Sequence, residues 1–536
     1  MIMKKRFIKT LVAIIAATIL MMHFAACYET PPATVKSVDA VSTWEITDTT
    51  SLSKLTVAEG AIIKAPEGKG LTMTVDGIET GIKPGIYMGN IVLTVAEDII
   101  ATAKVFGDKS KYLFRAAIDV EDGKYVPKRS VAAAVAGGTV TDTSAKDVKI
   151  TSVGERFNGI IVKGDSKSSY SIINPVINLT GNGGNDFVGF GAAIMSSGNA
   201  DVTVEKAEII TRGAVRTAVF VGGNSTMHVN DSYIEVHNGT LPADYKFNVG
   251  EGMMEVPWMM GIIGNVRATN LAENGTVYYN NSHIKAQGWG CLSSDAVTNT
   301  KMFATKCLIE TVESGYGAFT LGENISTFSE CTFNVTDIGM ISQDGDGIFT
   351  DGTVVNSGRF GVMYFGTGDY LTIEKGTVFN TKATAIMLKT PGHDVVVDNA
   401  KLNPGNGIIL QVMAIDDPYM AARSAGGGQG GAPPGGGMAG DTGGSVPGSR
   451  NKGTSDVNAA LKNTTLKGDL VNGDTPSAAL NVTLENATIT GAITTSLVKH
   501  ALGPNGEEVT MEHRELYKLI GEITNTYCTT DKKYGV

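Results

Sequence analysis

The stretch GTGDYLTIEKGTVFNTKATAIMLKTPGHDVVVDNAKL, residues 366–402, decides the fold because it states one pattern twice. Displaced by 24 residues, Leu371 falls on Val395, Ile373 on Val397, and Asp369 on His393. Each half holds three short apolar runs: Leu371-Thr-Ile, Thr377-Val-Phe, and the small-residue-led Ala385-Ile-Met-Leu. Asn, Asp and Gly fill the gaps, as tight turns require.

The small-residue-led run recurs outward in both directions. It reads Gly290-Cys-Leu-Ser, Gly317-Ala-Phe-Thr, Gly339-Met-Ile-Ser, Gly361-Val-Met-Tyr, Ala385-Ile-Met-Leu and Gly407-Ile-Ile-Leu, at intervals of 27, 22, 22, 24 and 22. Earlier copies are Ala192-Ala-Ile-Met, Ala218-Val-Phe-Val and Gly261-Ile-Ile-Gly. Three strands of three to five residues per period cannot stand as a hairpin sheet. Each turn of chain leaves an apolar side that only the next turn can cover, which is the logic of a solenoid. Successive strands would then pair in parallel, about 4.8 Å apart. This pattern resembles the right-handed parallel β-helix of the pectate-lyase-like superfamily. The expected fold class is all-β, a right-handed parallel β-helix over 131–500 with about 22–27 residues per coil.

Composition agrees. Among 536 residues there are 66 glycines, and only 18% of the chain is charged. A net charge of −10 without a basic cluster in the mature part excludes nucleic acid as a partner. No phosphate-binding loop and no His/Cys zinc spacing is present.

Lys4, Lys5, Arg6 and Lys9 precede an apolar run from Leu11 to Met22 that is too short for a permanent span, so residues 1–27 read as an export signal. The signal ends in Phe24-Ala-Ala-Cys27, which resembles the lipobox of bacterial lipoproteins with Phe where Leu is usual. That resemblance implies lipidation at Cys27 and a membrane contact through the lipid anchor only, at the cell surface or in the periplasm. Residues 28–130 are less regular and read as a tether followed by either entry coils or a small capping β-domain. A loop over 238–257 and a Gly/Pro-rich insertion over 413–456 interrupt the coils, and the insertion cannot bury a core. Residues 501–536 form the expected C-terminal cap, with a helix at Glu512–Ile520. The chain is expected to be a monomer.

Cys307 and Cys331 lie 24 apart, in a small-residue column continued by Gly352, Gly376 and Ala400. Stacked buried thiols and a bridge between adjacent coils both fit. Glu323, Asp346, Asp369 and His393 occupy the turn after the small-residue-led strand in successive coils. Stacked carboxylates can share a proton for acid–base work, or hold Ca²⁺ through Asp344, Asp346 and Asp369. In order and spacing, Asp344-Gly-Asp346, Asp369 and Gly392-His393-Asp394 are similar to the acids and the Gly-His-Gly of polygalacturonases. That likeness implies catalytic roles for Asp346, Asp369 and His393, although the family's Asn-Thr-Asp, Asp-Asp and Arg-Ile-Lys are absent. The plainer reading is a polar turn ladder, continued upstream by Asn199, Asn224 and Asn265.

Trp289, Tyr316 and Tyr364 flank small-residue-led strands, and Asp295 extends the acidic edge. Exposed, they would stack on sugar rings; buried, they would close the core at coil corners. Arg216 and Arg359 could pair with an anionic sugar. The functional expectation is an exported, surface-anchored protein that binds extended acidic polysaccharide. The alternatives are a polysaccharide lyase or glycoside hydrolase on the same scaffold, and a surface adhesin.

Overall fold

The computed structural model describes residues 34–102, 110–247, 252–257, 260–295, 299–364, 370–413, 456–473, 478–495, 526–529 and 532–535. Its repeating event is a corner made by one left-handed residue. Lys206, Asp231, Asn281, Lys306, Glu330, Asn399, Asn463 and Asn486 all take φ between 48° and 55° or, at Asn281, 46°. Such a residue turns the chain sharply, which Asn and Asp tolerate best. The corner amide also bonds to the next coil: Lys206 N–H donates to Asn230 O at 2.9 Å and Lys306 N–H to Ser329 O at 3.0 Å. The turn is thereby part of the stack.

Between corners lie three ladders of parallel strands. The first sheet runs through Val219–Val221, Arg267–Leu271, Gly290–Asp295, Tyr316–Leu321, Ile338–Gln343, Val362–Tyr364, Ile386–Leu388, Ile408–Val412 and Asp469–Asn472. The second includes Thr276–Asn280, Thr300–Thr305, Asn324–Ser329, Asp346–Thr350, Tyr370–Glu374 and Asp394–Asp398. The third includes Tyr233–His237, His283–Ala286, Leu308–Thr311, Thr332–Val335, Val354–Ser357, Val378–Thr381 and Lys401–Pro404. The molecule is an all-β, β-helix-like solenoid of long parallel sheets.

Alternation along each strand sends every second residue inward. On the third sheet the inward column is Ile209, Ile234, Ile284, Ile309, Phe333, Val355, Phe379 and Leu402, each at most 3% exposed. On the second sheet Phe328 and Phe349 lie tilted against each other with ring centroids 5.0 Å apart, and Phe328 meets Phe333 of the third sheet edge-on, also at 5.0 Å. One continuous apolar core therefore runs the length of the solenoid.

The register differs from the sequence expectation in detail. Cys291, not Gly290, is in line with Gly317, because Leu292 pairs with Ala318. Ile386 pairs with Leu410, so the Gly407 run is displaced by two residues, next to a bulge between Ile408 and Leu410. Gly261-Ile-Ile-Gly is not a strand; Arg267–Leu271 takes that place in the first sheet. The column above Cys307 and Cys331 continues through Thr353 and Thr377 rather than Gly352 and Gly376. Both threonines are fully buried, and the Thr353 hydroxyl is satisfied locally, Oγ1 donating to Phe328 O at 2.9 Å. Cys291, Cys307 and Cys331 are buried free thiols.

Before the coils stands a mainly antiparallel β-module. Thr50–Val57 and Lys69–Val75 both pair with Gly85–Glu97 around Leu55, Met73, Ile91 and Leu93. It joins the third sheet at Glu79, which pairs with Ser152 and accepts a 2.5 Å hydrogen bond from its hydroxyl. At the far end Thr526–Thr529 and Lys532–Gly535 pair antiparallel with Ala487–Thr490 and Asn481–Leu484, covering strand edges of the last coil. The export signal with Cys27, most of the Gly-rich insertion and the expected helix at 512–520 lie outside the described residues.

Candidate functional site

Among the described residues, those singled out in the sequence do not gather into one site. Asp346 opens a second-sheet strand, and its Oδ1 accepts the Tyr370 N–H at 3.2 Å. Tyr370 pairs in turn with Asp394, so Asp346, Tyr370 and Asp394 form an outward column. His393 immediately precedes Asp394 and is turned the other way. It is 1% exposed, lies 5.3 Å from the Tyr364 ring, and places Nε2 3.1 Å from Thr390 Oγ1. Strand alternation thus separates Asp346 from His393, and the two do not form an acid–base pair. Asp344 sits in the preceding turn at φ 65°. Asp369 lies outside the described residues, among which no three His, Cys, Asp or Glu groups are placed to hold a metal ion.

The aromatic residues are core, not platform. Trp289 and Tyr364 are 1% exposed and Tyr316 is fully buried. Trp289 lies under the guanidinium of buried Arg267, 4.5 Å from ring centroid to Cζ. Arg267 pairs with Asp186 at 2.7 Å and with Asp295. Burial pushes the Asp295 carboxyl above its ordinary range while Arg267 pulls it down. Arg216 is fully buried too, and desolvation lowers it to about 10 although Glu79 and Glu155 oppose the shift.

These rings are hidden because the first sheet is buried on both sides. Every residue of Tyr316–Leu321 is buried. The outward column runs Met195, Phe220, Asn270, Ser293, Phe319, Ile341, Met363 and Met387. Its apolar members belong to a second apolar cluster, with Met253, Val256, Met260 and Ile262 from the loop before Arg267 packed into it. Continuous apolar runs without alternation are the sequence signal of a strand covered on both faces. Near the N-terminal end this side opens into a cleft of about 520 Å³, floored by Phe187, Met195 and Phe220 and rimmed by Asp122, Lys163, Asp165 and Glu273. A corner ladder borders it. Asn224 donates to Asn199 and Asn274 to Asn224, at 3.2 and 3.0 Å. Asn265 is not a member, since its amide bonds Gly239 O in the loop.

The third sheet turns a polar side outward. In four consecutive strands, from Thr332–Val335 to Lys401–Pro404, the residue after the inward one is an asparagine: Phe333-Asn334, Val355-Asn356, Phe379-Asn380 and Leu402-Asn403. Their amides are joined head to tail. Asn403 Nδ2 donates to Asn380 Oδ1, Asn380 to Asn356, and Asn356 to Asn334, at 2.8, 2.8 and 2.9 Å. These residues, with Thr336, Ser357, Thr381 and Lys382, line an open groove of about 610 Å³ along the solenoid.

At its end Asn334 Nδ2 donates to Glu310 Oε1 at 3.3 Å, and the other Glu310 oxygen lies 2.6 Å from His283 Nε2. One coil further, Lys285 Nζ meets Glu235 at 2.8 Å, and the Tyr233 hydroxyl donates to Glu235 at 2.7 Å. Burial pushes Glu235 upward, but Lys285 and Tyr233 more than offset this and hold it below the ordinary carboxylate range. Burial, reinforced by Glu235, pushes the Tyr233 phenol up to about 12. The asparagine groove was not among the sequence-predicted sites. Its signal was present as an Asn one residue after the inward apolar residue, at spacings of 22, 24 and 23.

No family model matches the chain, and neither the search of curated proteins nor the search of solved structures produced a match.

Proposed function

We propose that this chain is an exported β-helix protein, right-handed and of the pectate-lyase-like type, that is anchored through lipidated Cys27 and binds extended polysaccharide along the outer side of its third sheet. The observation that carries the reading is the asparagine groove. A solenoid repeats its surface every rung, about 4.8 Å, and a polymer can use every repeat where a small metabolite could use only one. Amide side chains offer a donor and an acceptor together, the pair that sugar hydroxyls need. The ladder bonds hold those amides in place before a ligand arrives, which lowers the ordering cost of binding.

The test is retention of the purified protein on a panel of insoluble glycans, with Asn356→Ala and Asn380→Ala combined. The double variant should melt close to wild type, since both side chains are on the outer surface, and should lose retention. Undiminished retention by a folded double variant would place the ligand elsewhere.

A further inference from the structure

The direction of the amide ladder is set at one end. An amide can be drawn either way round, but Glu310 as a carboxylate only accepts hydrogen bonds. Asn334 must therefore turn its NH₂ toward Glu310. Its Oδ1 is then left to receive Asn356, which orients Asn380 and finally Asn403. Asn334, Asn356 and Asn380 each spend one N–H and one lone pair on the ladder, and Asn403 at the far end spends one N–H. The second N–H and the second lone pair of each remain for a ligand, in the same order on every rung.

The charge around this array is sparse. Of the residues lining the groove, Lys382 alone is charged. The residues beyond Asn334 add Glu310 and Glu235 against Lys285, with His283 and His237 alongside. A polymer with a carboxylate on every ring would place repeated negative charge along four rungs that hold two lysines, Lys382 and the outward Lys401 beside Asn403, and that end on Glu310, in a chain of net charge −10. An uncharged sugar meets no such opposition, and its hydroxyls pair with the free amide positions.

We infer that the groove takes an uncharged, hydroxyl-rich polysaccharide, read by an amide ladder whose polarity Glu310 imposes. This rests on the polysaccharide reading above and replaces the acidic polymer expected from the sequence. Glu310 acts as a positioning residue. Glu310→Gln keeps the size but can donate as well as accept, so the ladder is no longer held in one direction.

The experiment measures the affinity of wild type and Glu310→Gln for neutral glucan, mannan and xylan and for polygalacturonate and alginate, at low and high salt, with melting temperatures recorded alongside. The expected result is binding to a neutral polymer that salt leaves unchanged. Glu310→Gln should weaken it about tenfold while melting near wild type. Preference for a polyuronate that fades with salt would overturn the inference and leave the polysaccharide reading standing. Equal binding by a folded Glu310→Gln would overturn the role of ladder polarity. Retention of neither class of polymer would remove both.

Discussion

At the residue scale the coils depend on what a single side chain has room to be. A Cβ added to Gly339 would lie 2.3 Å from Gly361 O and 2.7 Å from a methyl of Val355. The carbonyl belongs to the strand stacked next to it and cannot swing aside as a side-chain tip can. Gly339→Ala should cost about 1–3 kcal/mol, read as a lowered chemical-denaturation midpoint with an unchanged slope. Gly352 has the opposite character: a Cβ there meets nothing within 4 Å, but φ is 78°. One glycine is required by contact and the other by backbone conformation. The sequence shows both letters alike, which is why Gly352 and Gly376 entered the inward column in place of Thr353 and Thr377.

Strands and corners carry most of what was legible at the element scale. Three strands per period and the Asn/Asp corners follow from alternation and turn chemistry, and the second strand stands where the repeat in residues 366–402 put it, whereas the third is displaced by one residue, with Val378 and not Thr377 paired to Lys401. The outer surfaces were harder to read. First-sheet strands are buried on both sides, so Trp289, Tyr316 and Tyr364 became core instead of platform. Asp346 and His393 fall in the same turn region, yet one step of alternation sends them to opposite sides. A spacing of 23 or 24 residues fixes which coil a residue belongs to but not its direction, because one residue of slip reverses the side. The inward isoleucines of the third sheet offer the cleanest test of stacking. Ile309 is fully buried between Ile284 and Phe333. Ile309→Ala should cost about 2–5 kcal/mol. Because coils touch only their neighbours, the rise in amide exchange should concentrate in residues 283–286, 308–311 and 332–335 and fade toward the ends of the solenoid.

For the whole molecule, coils whose first sheet is covered by apolar packing leave other surfaces to meet a partner. The third sheet offers a long amide-lined track, closed at one end by a cluster of carboxylates, histidines, a lysine and a tyrosine. Its length comes from repetition, and its preset hydrogen bonds come from placing the same side chain on four consecutive coils. The fold and this surface are thus two results of one repeat. The core needs every strand of the third sheet to send an apolar residue inward, and alternation then leaves the next position free to carry asparagine outward.

Amide hydrogen exchange of the full chain with and without a retained neutral glycan tests this account most directly. Binding along the groove predicts new protection concentrated at residues 334–336, 356–358, 380–382 and 403–405, with the first-sheet strands unchanged. Protection centred instead on the Phe187, Met195 and Phe220 cleft, or on the turns that carry Asp346 and His393, would contradict it.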